Sequence, residues 1–81
     1  MQYKIPLVLT PQPEGGYTVT SPLLPELITE GDTIDDALAN VKDALAAVAE
    51  AYEDLGRSLP QNARIPDASE PVWLETVVTA P

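Results

Sequence analysis

Gly31-Asp32-Thr33-Ile34-Asp35 is the boundary on which the fold turns: before it apolar residues recur at every second position, after it at every third or fourth. Asp32 is placed to accept the free N–H groups of a first helical turn, and Asp35 and Asp36 set negative charge beside the positive end of the helix dipole. A helix is therefore expected from Thr33 to Leu55. Its apolar positions Ile34, Leu38, Val41, Leu45, Val48, Tyr52 and Leu55 repeat at spacings of four and three, with Ala37, Ala44 and Ala51 as a smaller stripe alongside. Gly56 ends it as a left-handed cap. Such a helix is about 34 Å long against ~20 Å for a typical strand, so one end overhangs any sheet beneath it.

Upstream of the boundary, Tyr3, Ile5, Leu7 and Leu9 alternate with Lys4, Pro6, Val8 and Thr10, which predicts a strand with one face on a core. Pro6 has no N–H for a ladder, so the strand must be unpaired there or carry a bulge. The turn-rich run Pro11-Gln12-Pro13-Glu14-Gly15-Gly16 joins it to a second strand, Tyr17 to Thr20, as an antiparallel hairpin. A connection from Ser21 to Pro25 leads to a short third strand over Leu27 to Glu30. Downstream, Arg57 to Pro71 reads as a crossing loop anchored by Leu59 and Ile65. A last strand is expected over Val72 to Thr79, with Val72, Leu74 and Val78 on one face and Trp73, Glu75 and Val77 on the other. The class is α+β in the order β-β-β-α-β. A right-handed crossover sets the last strand parallel to the first in one mixed sheet, with the helix on one face. Trp73 and Val77 then lie on the uncovered face, which implies self-association or a protein partner.

Composition narrows the function. Eighty-one residues, 44% of them apolar, suit one domain, 1–81, with a single core. Thirteen acids against four bases give a net charge of −9, a field that repels phosphate backbones and anionic lipid heads, so neither nucleic acid nor membrane is an expected partner. The chain has no Cys and no His, which removes thiol nucleophiles, His-based triads and zinc sites of the usual kind. The bases Lys4, Lys42, Arg57 and Arg64 are scattered over different elements and form no stripe for a groove. Met1 is followed by strand-like sequence rather than a basic start and an apolar stretch, so a cytoplasmic address is expected. The longest apolar run, Ala44 to Ala49, is far short of the roughly 20 residues that cross a membrane.

Glu26, Glu30, Asp32, Asp35 and Asp36 form an acidic run without a base, which suits a basic partner or stands as a solvated face. Acids in a first helical turn already serve the dipole, so neither a metal nor any other cofactor is expected. No serine has a His to activate it, and enzymatic activity is not expected. Tyr17, Tyr52 and Trp73 are candidate binding anchors as amphipathic aromatics; Tyr52 belongs to the helix stripe and so to the core, whereas Trp73 opposes its strand's core stripe and suits an interface or a core equally.

Gly15-Gly16-Tyr17, then Ser21-Pro22-Leu23-Leu24-Pro25-Glu26-Leu27 and Gly31-Asp32-Thr33-Ile34-Asp35-Asp36-Ala37, with Gly56-Arg57-Ser58-Leu59-Pro60 after the helix, resemble the N-terminal domain of HicB-like antitoxins across nearly the whole chain. Leu23 stands where that family commonly has an acid, Glu26 where it has Gly, and Leu27 where Cys is common. The resemblance implies a partial RNase H-like fold and the antitoxin half of a toxin–antitoxin pair, binding a small basic HicA-like mRNA-cleaving toxin and masking its active site. It implies no RNase H catalysis, because strand one lacks the metal-binding acid. A C-terminal DNA-binding domain, frequent in the family, is not expected here. Partner contacts are assigned to Glu26, Glu30, Asp32, Asp35 and Asp36 for charge and Trp73 for apolar area. The alternative is an orphan HicB-like module, a homo-oligomer (dimer or tetramer) without a toxin; an enzyme using carboxylate-bound Mg²⁺ ranks last.

Overall fold

Alternation and proline placement together decide where the sheet begins. The computed structural model describes residues 2–65 and 69–80 and contains strands β1 (Val8–Pro11), β2 (Tyr17–Thr20) and β3 (Ile28–Gly31), the helix α1 (Ile34–Asp54) and a 3-10 turn, Gln61–Ala63. The strands are antiparallel in the order β1-β2-β3. Leu9, Val19 and Thr29 pair across the face toward α1, and Val8, Thr20 and Ile28 across the face away from it.

The first strand was expected from Tyr3, and the side chains do alternate half-buried and exposed from Tyr3 to Thr10. Its ladder nevertheless starts only at Val8. The Gln12 N–H donates to the Gly16 carbonyl at 3.0 Å, which sets the phase in which Thr10, Val8 and Pro6 turn their backbone nitrogens toward β2. Pro6 has nothing to donate, so pairing stops after Val8. The chain before it pairs elsewhere: Lys4 N–H donates to Ala63, Ile65 N–H donates to Gln2, and Tyr3 bridges Arg64.

That pairing bears on the end of the chain. The strand expected over Val72 to Thr79 does not form; residues 71–80 are exposed and carry no ladder, so the sheet is antiparallel throughout rather than mixed. A strand exists only through its partner, and the start of strand one is paired to 63–65 instead. The last segment touches it through a side chain, Lys4 Nζ donating to the Trp73 carbonyl at 2.8 Å.

The helix begins one residue later than the first acid suggests. Thr33, not Asp32, is the cap, its Oγ1 accepting from the Asp36 N–H at 3.1 Å. At the far end Gly56 takes φ 66°, and its N–H donates to Glu53 while that of Arg57 donates to Tyr52, a Schellman closure. The first half of the helix sets Ala37 and Val41 on Val19, with Leu7, Leu9 and Leu45 around them. The second half, the overhang, packs Val48 and Tyr52 on Leu24 and Leu27, with Ile5 and Leu59. The connection from Ser21 to Leu27 is thus core: the buried Ser21 hydroxyl accepts from the Leu23 and Leu24 N–H groups, turning both Leu24 and Leu27 fully inward. Leu55, the last residue of the expected stripe, lies past the core and is exposed. No helix among the described residues is long and apolar enough to cross a membrane.

Candidate functional site

The β1–β2 turn and the β3–α1 junction lie at the same end of the sheet, because three antiparallel strands return every second connection to one end. Between them opens a polar cleft of about 510 Å³. Glu14 and Tyr17 come to it from the hairpin, Glu30 and Asp32 from the end of β3, and Asp36 and Asn40 from the first turns of α1. The parts are held closely. Asn40 Nδ2 donates to the Glu30 carbonyl at 2.7 Å, and the Gly15 N–H closes the hairpin turn onto the Gln12 carbonyl. Gly31 lets the end of β3 lie directly on the first turn of α1.

Four acidic residues, Glu14, Glu30, Asp32 and Asp36, are among those lining the cleft, Glu30 meeting α1 through its carbonyl, with no Lys or Arg among them. The side-chain groups around it include a phenol, an amide and carboxylates. They supply acceptors and negative potential, which suit a Lys ammonium or an Arg guanidinium. No group of three or more metal-ligating side chains is assembled among the described residues.

Of the residues assigned from sequence, Glu30, Asp32 and Asp36 meet in this cleft, while Asp35 is exposed beside it without lining it. Glu26 sits at the other end of the helix, accepting from the Tyr52 hydroxyl at 2.9 Å, where the Arg57 guanidinium lies 4.7 Å from the Tyr52 ring centre. Trp73 is on the last segment and 82% exposed. Tyr17, a candidate anchor from sequence, does line the cleft, whereas Glu14 and Asn40 were not assigned from sequence. The return of an antiparallel meander to one end was the available signal for Glu14, whereas nothing in the sequence singles out Asn40.

The Glu26 carboxyl is held below the usual carboxylate range, first by its own backbone N–H, then by the Tyr52 hydroxyl, with Arg57 adding attraction. The same bond raises the Tyr52 hydroxyl above its ordinary value. A carboxyl depressed on folding adds stability above the unfolded glutamate range and loses it as pH falls through the folded value. Glu26→Gln is therefore expected to lower Tm at neutral pH, with the gap to the parent closing as the solution is acidified. A constant gap across thermal melts from neutral to acid pH would refute this.

Residues 5–79 match the family described as HicB-like antitoxin of bacterial toxin-antitoxin system. The chain is 39% identical over 57 residues to Antitoxin HicB of Escherichia coli (strain K12), covering 70% of this chain and 41% of that protein. It is 40% identical over 57 residues to Antitoxin HicB 1 of Photorhabdus laumondii, covering 70% of this chain and 37% of that one. A UPF0150 protein of Thermoplasma acidophilum is 32% identical over 59 residues, 73% of this chain and 86% of its own. The match thus spans about two fifths of the named antitoxins and most of the UPF0150 protein.

Proposed function

The chain belongs to the HicB-like antitoxins of bacterial toxin–antitoxin systems, and we propose that it acts as one, binding a small basic HicA-type mRNA-cleaving toxin and masking its active site. The observation that carries this is the cleft, in which Glu14, Glu30, Asp32 and Asp36 converge at one end of a chain of net charge −9. A ribonuclease that holds RNA presents Lys and Arg toward phosphate, and an acidic cleft offers those side chains carboxylates in phosphate's place. The summed field steers encounter, and the cleft fixes where the cations settle. The chain itself performs no chemistry, holds no cofactor, and works in the cytoplasm, where mRNA is translated. The exposed apolar residues of the sheet and of the last segment favour the orphan homo-oligomer as the second reading.

The test mixes the chain with the basic protein encoded beside it and follows RNA cleavage and complex mass at low and moderate salt. Cleavage is expected to stop near equimolar chain, through a complex that weakens as salt rises. Undiminished cleavage with excess chain, together with no change in mass, would leave the orphan module.

A further inference from the structure

β3 ends the sheet, so every second backbone group along it turns outward from the ladder. The phase set at the β1–β2 turn carries across: Thr10 and Val8 face β2, Tyr17 and Val19 face β3, and Gly31 and Thr29 face back. Glu30 is therefore one of the residues whose backbone points outward. Its carbonyl is not left to water. Asn40 Nδ2 donates to it at 2.7 Å, across a separation of ten residues.

That bond closes a loop, and the loop holds two of the acids of the cleft, Asp32 and Asp36. Within it Asp36 is tied a second time, its N–H donating to the Thr33 hydroxyl. Strand and helix also touch by backbone here, since a Cβ on Gly31 would fall 2.6 Å from the Ala37 Cα, about one helical turn before Asn40. Two contacts a turn apart fix both the distance of α1 from the end of β3 and its slide along it. Carboxylates held in this way meet a cation without first being ordered by it. Asn40 lines the cleft as well, and carries no charge there. Aspartate has the same shape and would add a fifth acid to the four, yet once ionised it has no proton for the Glu30 carbonyl and sets a negative oxygen against it. Position 40 thus separates charge from placement.

We propose that Asn40 is the positioning residue of the acidic cleft: by holding the Glu30 carbonyl, its amide keeps Asp32 and Asp36 converged for the cationic side chain of a basic partner. The use of the cleft rests on the function proposed above, whereas the positioning is measured on the chain alone. Asn40→Asp and Asn40→Ala remove the donor, and the first also adds a carboxylate. Ala39→Asp adds a carboxylate at the neighbouring residue of the cleft and keeps the donor. In NMR spectra of the chain alone, the Glu30 carbonyl carbon is expected to shift in the same direction in both Asn40 variants, and the Gly31 and Asp36 amides to exchange faster. Helix circular dichroism is expected to hold, because Asn40 is exposed. With the basic protein encoded beside the chain, both Asn40 variants are expected to raise Kd about fivefold to tenfold, mainly through faster dissociation, while Ala39→Asp holds or lowers it. An Asn40→Asp chain that binds as tightly as the parent overturns the proposal, as does a Glu30 carbonyl carbon that moves in neither Asn40 variant. Equal losses from Asn40→Asp and Ala39→Asp overturn it too. A parent chain that binds no basic protein refutes the function proposed above, and the spectra of the chain alone still decide whether Asn40 places Asp32 and Asp36.

Discussion

Gly31→Ala is expected to lower the stability of the domain by about 3 kcal/mol, the upper end of what overpacking costs. A Cβ on Gly31 would fall against the backbone nitrogen of Ala37 and 2.6 Å from its Cα. Both neighbours are backbone, so no rotamer change relieves the clash; β3 must draw back from α1. Ala37 and Val41 sit on Val19 in the same cluster, and that contact is lost with the displacement. A domain of 81 residues has only about 4 to 12 kcal/mol in total, so the variant is poised near unfolding. Gly56→Ala is the informative control. Gly56 needs its positive φ and has nothing within 4 Å of a Cβ, so it is expected to lose about 1 kcal/mol through the backbone conformation alone. Urea titrations followed by helix circular dichroism separate the two. Equal midpoints for both variants would show that β3 and α1 do not depend on this close approach.

The elements whose signal is local were legible in the sequence. The 4,3 stripe from Ile34, the acids of the first turn and Gly56 fix a helix that the structure places at Ile34–Asp54. The hairpin follows from turn residues between two alternating runs. The failures were failures of partnership. Val72 to Thr79 alternates as a strand does, yet alternation does not say what the strand pairs with, and the start of strand one is taken by 63–65. The Ser21 to Pro25 connection reads as a linker because its prolines mark turns, but its Leu24 is wholly buried beneath the overhanging helix end, as is Leu27, which the sequence placed in the third strand and which lies just before β3. The acidic run suffered likewise. Glu26 and Asp36 are ten positions apart in sequence and stand at opposite ends of α1, one bonded to Tyr52 and the other in the cleft. Glu14 joins Asp36 only because the meander returns to the same end.

The double variant Asp32→Lys with Asp36→Lys is expected to weaken toxin binding about 100-fold or more, near 3 kcal/mol. Each substitution removes an attraction inside the cleft and adds a repulsion there, so the effect exceeds that of neutralising the same two residues. Net charge changes as well, by four units, and this alone slows encounter through the field of the whole molecule. Glu53→Lys with Asp54→Lys changes net charge by the same four units at the other end of α1, where both residues are exposed and remote from the cleft. The two variants thus share the long-range field and differ in local contact. Association rates are expected to fall in both, more steeply at low salt, whereas the dissociation rate is expected to rise only for the cleft pair. Helix electrostatics run the other way: lysines near the N-terminus cost about 0.3 to 1 kcal/mol each and lysines in the last turn stabilise. Thermal melts of both variants therefore accompany the binding measurement, which is made where both remain folded. If the two variants lose affinity equally and through association alone, overall charge recruits the toxin and the cleft does not hold it.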